Sequence, residues 1–119
     1  MASIKDSLAE LMMIDGAKCV SLVDGASGMI LGEDGSGVDM ELAAAGNTEV
    51  VKAKMKTMKS LNLNTEIEDI LITLGDQYHI IRPMVHQKGL FLYIVLDKAQ
   101  ANLALARRKV QNVEESLVI

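Results

Sequence analysis

Aromatic residues are nearly missing from this chain: two tyrosines, one phenylalanine and no tryptophan among 119 residues. Half of the residues are nonetheless hydrophobic. A core must therefore be filled by Leu, Ile, Val and Ala, with eight methionines as adaptable packing. Cysteine is equally scarce. Cys19 stands alone, which excludes an internal disulfide, and its place in an apolar run suggests a buried thiol in a reduced, cytoplasmic setting. No apolar run approaches the roughly 18 residues of a transmembrane helix, so insertion into a membrane is not expected. The first residues, Met1 to Asp6, carry no apolar stretch of the kind a signal peptide needs. Positive charge is also short. A net charge of −4 and a pI near 5.1 argue against nucleic acid and anionic membrane as main partners.

What is present is a regular succession of short elements in a length that suits one domain, residues 1–119. Ser3 and Asp6 have capping-box spacing ahead of Leu8, Leu11 and Met12, and Asp15-Gly16 supplies a stop, so a helix is expected over residues 4–14. Ala17 to Asp24 reads as a strand, the glycine-bearing turn 24–28 reverses the chain, and Met29 to Gly32 reads as its short partner. Glu33 to Asp39 is polar and glycine-rich, and reads as a flexible loop. A long helix follows over residues 40–61, with apolar positions at Leu42, Val50, Val51, Met55, Met58 and Leu61. Gly46-Asn47 weakens its middle by about 1 kcal/mol for Gly against Ala, which marks a place for a kink or break.

The organising stretch comes next. Residues 68–75, 77–84 and 90–97 are three runs rich in β-branched or aromatic residues, separated by Gly75-Asp76 and by His86 to Gly89. Connections this short force antiparallel neighbours. Asp97 then leads directly into a helical pattern over residues 98–113, apolar at Leu103, Ala106, Val110 and Val113. The element order is αββαβββα. The meander strands are apolar on both faces, whereas a sheet with one wet face would show polar alternation. Helices must cover both sides, which predicts an α+β three-layer sandwich with the long helix alone on one face and the terminal helices together on the other. One helix of about 20 residues does not cover five strands spaced about 4.8 Å apart. An apolar flank and a strand edge remain, and such edges pair with another chain unless blocked. The edge of the 68–75 strand, guarded only by Glu68 and Asp69, predicts a homodimer through that strand and the long helix.

With these elements in place the chain resembles the roadblock/LC7 domain family, particularly its prokaryotic stand-alone members, from about Leu8 to Glu114. The resemblance is carried by Val20-Ser-Leu-Val-Asp-Gly25 leading into Gly28-Met-Ile-Leu31, then by Ile70-Leu-Ile-Thr-Leu74 and Tyr78-His-Ile-Ile-Arg-Pro83. It ends with Leu92-Tyr-Ile-Val-Leu-Asp97 running into Ala101-Asn-Leu-Ala-Leu-Ala-Arg107, the most specific match. It implies a five-stranded antiparallel sheet of profilin-like architecture. It also implies a homodimer built on the long helix and third strand, with Val51, Met55, Met58, Leu61, Ile70, Leu71, Ile72 and Thr73 at the interface. The function it implies is a regulator or scaffold that binds a small Ras-like GTPase, without catalysis or a cofactor of its own. A structural adaptor of a larger complex, of the dynein light chain kind, and a small-ligand binding domain are the alternatives.

Individual candidates are weighed against simpler readings. Gly32 to Gly37 has glycines before a helix, but Glu33 and Asp34 carry the wrong charge for phosphate and no lysine stands at P-loop spacing. His79 and His86 fall short of the three or four ligands zinc needs. No catalytic residue, metal site or Ser-His-Asp arrangement is assigned. Lys52, Lys56 and Lys59 fall at i, i+4 and i+7 on one stripe of the long helix. A solvated face accounts for them, and docking of an acidic partner surface is the functional alternative. Arg107, Arg108 and Lys109 read as ordinary solvated cations. Met40, Met55 and Met58, with Met12 and Met13, read as core or dimer packing ahead of an adaptable binding surface.

Overall fold

A computed structural model describes residues 2–119. Its elements are α1 (Ile4–Leu11), β1 (Ala17–Asp24), β2 (Met29–Gly35), α2 (Met40–Ser60), β3 (Ile70–Thr73), β4 (Gln77–Pro83), β5 (Leu90–Asp97) and α3 (Leu103–Ser116). The order is αββαβββα, as expected. Short polar side chains start each helix: Ser3, Asp39 and Asn102 accept from the backbone N–H of Asp6, Leu42 and Leu105. These bonds satisfy amides that no carbonyl within the helix reaches.

The five strands form one antiparallel sheet in the order β2-β1-β5-β4-β3. The N-terminal hairpin therefore docks through β1 onto β5, and the two short-contact strands β2 and β3 become the edges. Both faces of the central strands are apolar, and each is covered. Val20, Leu22, Ile80, Leu92, Ile94 and Leu96 pack against Leu8 and Leu11 of α1 and Ala106, Val110 and Val113 of α3. On the opposite face Cys19, Val23, Ile81, Phe91, Tyr93 and Val95 meet Met40, Ala44 and Val51 of α2. This is the three-layer sandwich with the long helix alone on its side.

The differences lie at element ends. β2 extends to Gly35 instead of stopping at Gly32, with Glu33 opposite Ser21 and Asp34 opposite Val20. As an outer strand it tolerates exposed acids, which also guard the edge. Gly35 has φ +80°, and a Cβ there would strike the Lys18 carbonyl, so only glycine suits this close approach. α2 runs unbroken through Gly46 and Asn47, and the Thr48 hydroxyl donates back to the Ala44 carbonyl at 2.7 Å. β3 is four residues long, not eight. α1 ends at Leu11, and α3 begins at Leu103, because residues 98–102 form a turn in which the Asp97 carbonyl accepts from Gln100 and Ala101.

Candidate functional site

The α2 face is the one left incomplete. Buried positions on α2 fall at Met40, Ala44, Thr48, Val51 and Met58. That helical stripe calls for Met55 to be buried as well. Met55 is instead 48% exposed. Beneath it the C-terminal half of the helix leaves a groove of about 690 Å³. Val51, Met55 and Met58 form its upper wall, and Met84, Leu90 and Phe91 lie opposite. Lys52, Lys59 and Lys88 stand around it with Glu66 as the single acid, and residues 62–67 run along one side. Lys56, expected to act with its two neighbours, does not line the groove.

The other flank of α2 faces β3. There Val50, Lys54 and Met58 with Leu63, Ile67 and Ile70 surround a shallower hollow of about 470 Å³. β3 pairs with β4 alone, so its outer edge is unpaired among the described residues. Successive β3 side chains alternate between faces. Ile70 packs on the α2 side and Leu71 on the α1/α3 side, which puts Ile72 with Ile70 and Thr73 with Leu71. Of the residues expected at a dimer interface, Met55, Leu61 and Thr73 are exposed, and Ile70, Leu71 and Ile72 are half-buried. Val51 and Met58 are buried within the protomer. Both lie on the protomer's own core stripe, whose period is the 3.6 residues of the helix. The residues that turn outward are Leu42, Gly46, Val50, Ala53 and Thr57, all exposed. Sequence reading singled out Leu42 and Val50 only as helix periodicity.

A line of polar groups crosses the same face. The Gln77 Oε1 accepts from His79 Nε2 at 2.9 Å, which leaves Nδ1 to accept from the Tyr93 hydroxyl at 3.0 Å. The rings of His79 and Tyr93 meet edge to face. Burial lowers the His79 pKa from its usual 6.5, with Asp76 opposing. Burial likewise raises the Tyr93 pKa, an effect the adjacent Asn47 side chain partly offsets. Asn47 Nδ2 is itself buried and has no hydrogen-bond partner. Burial also pushes the Cys19 thiol up, so it is no ready nucleophile. No group of three or more His, Cys, Asp or Glu suited to a metal ion occurs among the described residues.

Behind the sheet, three ion pairs escaped the sequence reading, among them Lys109 Nζ with Glu10 Oε1 at 3.1 Å. Arg82 Nε donates to Glu114 Oε1 at 3.1 Å, with both side chains buried. Arg107, expected to be merely solvated, makes a two-pronged contact with Asp69 at 2.8 and 3.0 Å. That pairing raises the Arg107 pKa further and ties the approach to β3 onto α3.

The sheet order, the single helix on one face and the free β3 edge define the roadblock/LC7 fold. The chain superimposes on a roadblock/LC7 domain from Streptomyces avermitilis with a TM-score of 0.82 at 10% identity, covering 97% of this chain and 94% of that one. Myxococcus xanthus MglB gives 0.79 at 18% identity, with 92% and 89% covered. A structure of MglB with a tetrameric arrangement gives 0.83 at 15% identity, with 95% and 83% covered. At these identities the likeness is one of fold. No protein-family model matches the chain, and neither does any curated protein.

Proposed function

We propose that this protein is a homodimeric, cytoplasmic regulator or scaffold of the roadblock/LC7 type that binds a small Ras-like GTPase and performs no chemistry of its own. The observation that carries the reading is the unpaired β3 edge beside an apolar hollow and the outward residues of α2. A second copy, related by a two-fold axis, would extend the sheet through β3 and fill the hollow with its own α2 side chains. The tetrameric arrangement of an MglB with this fold supports assembly. Lys52, Lys56 and Lys59 lie on the flank of α2 away from that seam, where dimerisation leaves them free to meet an acidic partner surface. Any effect on GTP hydrolysis would then come from arranging the GTPase's own groups. The groove beneath α2 favours the adaptor reading as the second choice, since it opens sideways as a cleft for a chain segment.

The test is solution mass by light scattering on a sizing column, alone and with Ras-like GTPases in GTP- and GDP-bound forms. A dimer of twice 12.9 kDa that shifts only with the GTP form supports the proposal. Val50→Glu with Ala53→Glu alters two exposed positions and should give a folded monomer. A wild type that stays monomeric at tens of micromolar would overturn the dimer, and a dimer that ignores every GTPase would leave the adaptor.

A further inference from the structure

We infer that the groove beneath the C-terminal half of α2 receives an extended, acidic segment of a partner protein. Its alternate apolar side chains seat along Met55, Met58, Leu63 and Phe91, and its carboxylates meet Lys52, Lys59 and Lys88. Three independent features point to this occupant. The first is Met55, which stands on the helix's buried stripe yet is half exposed. It faces an unfilled apolar cleft, and methionine adapts readily to whatever side chain enters. The second is charge. The chain as a whole is −4, while the groove lining carries three lysines against Glu66 alone. A local basic rim on an acidic protein selects an acidic ligand and repels segments resembling its own surface.

The third feature distinguishes a peptide from an acyl chain. Residues 64–67 line the groove, lie outside every strand, and make no backbone–backbone hydrogen bond among the described residues. Their N–H and C=O groups are free to pair with an extended chain laid beside them, as in strand addition, while pockets take every second side chain. A fatty-acyl carboxylate would use the apolar floor and the lysines but leave that backbone unpaired. The groove and the seam-side hollow meet at Met58, Leu63 and Ile67, which line both, while Lys52, Met55 and Lys59 line the groove alone and Val50 and Lys54 line the hollow alone. Lys52 and Lys59 are shared with the GTPase-facing surface proposed above. The occupant is different, and the following test contains no GTPase, so either reading can fail alone.

The probe is a nine-residue synthetic peptide in which glutamate alternates with leucine or phenylalanine. It is titrated into full-length protein carrying 13C-methyl methionine. The methyl signals of Met55 and Met58 should shift, and those of Met13 and Met29, which lie outside the groove, should stay. Substituting Lys52, Lys59 and Lys88 together by Glu alters exposed positions and should weaken binding roughly tenfold or more, a few-fold for each rim charge. N-methylation of alternate peptide amides should weaken it comparably. Absence of methyl shifts, or equal binding of a peptide with lysine in place of glutamate, would overturn the proposal. So would dodecanoate acting at the same methyls where the peptide does not, or shifts that depend on protein concentration alone, the mark of a second copy in the groove.

Discussion

Glu114→Gln is the substitution whose cost follows most directly from the structure. Arg82 and Glu114 join β4 to α3 across the core at 3.1 Å, with side chains only 9% and 1% exposed. At that separation and an effective dielectric of about 20, the attraction is on the order of 5 kcal/mol. Much of it offsets the desolvation of the two charges, so the net worth of the pair is far smaller. Removing one charge leaves the other buried and unbalanced. Glutamine keeps the shape and one acceptor for Arg82 Nε, so the expected loss is about 3 kcal/mol, the low end for such deletions. Against a total stability of about 5–15 kcal/mol this is a large fraction. It corresponds to a fall in Tm of roughly 12 °C for a domain of this size. Urea denaturation followed by circular dichroism gives the free energy, with the slope checked against wild type. Arg82→Met with Glu114→Leu should recover to within about 1 kcal/mol, because apolar replacement of the whole pair removes the desolvation cost as well. A Glu114→Gln protein within about 0.5 kcal/mol of wild type would refute the reasoning, since it would mean that Arg82 keeps its water in the folded state.

Two further substitutions separate the protomer from its assembly and test the polar line on the α2 face. An added Cβ at Gly46 meets nothing within 4 Å, so Gly46→Ala should stabilise the isolated protomer by about 1 kcal/mol through helix propensity. The same change should loosen the proposed dimer, because Gly46 lies on the outward face of α2, and sedimentation across a dilution series reads this second effect. His79 has its folded pKa lowered below 6.5 by burial, so the unfolded chain binds the proton more readily. Stability is then full above pH 6.5 and falls as pH drops through the folded pKa. Denaturation at pH 7.5 and 5.5 should show that loss in wild type and a smaller one in His79→Gln.

The order of elements was legible because short connections between apolar runs leave few topologies, and because strands apolar on both faces require helices on both. Element ends were not. Glu33 and Asp34 read as loop residues since their composition is that of an exposed edge strand, and an outer strand needs apolar residues on neither face. Gly46 read as a break, yet one glycine costs α2 little against the tertiary packing of Ala44, Thr48 and Val51. The site was harder to see. Val51 and Met55 share a helical stripe, so periodicity alone assigns them one fate, whereas the structure buries the first and opens a groove under the second. Arg107 pairs with a carboxylate 38 residues away and His79 with a hydroxyl 14 away. Neither separation has a signature in the order of residues, because it is fixed only once the sheet has assembled.

The two faces of the sheet are packed differently. The α1/α3 side is closed by two helices, by the buried Arg82–Glu114 pair and by Lys109 on Glu10 at 3.1 Å. The α2 side has one helix, a groove on one flank, a hollow on the other, and a polar line from Gln77 to Tyr93 between strands. Recognition needs surface that the protomer has not already buried, which is why the proposed contacts are placed on the second side. That arrangement links assembly to stability. In the proposed dimer a partner copy on the hollow would bind the folded state and not the unfolded one, so the unfolding midpoint should rise with protein concentration. It should stop rising in Val50→Glu with Ala53→Glu, where the seam is charged and the core untouched.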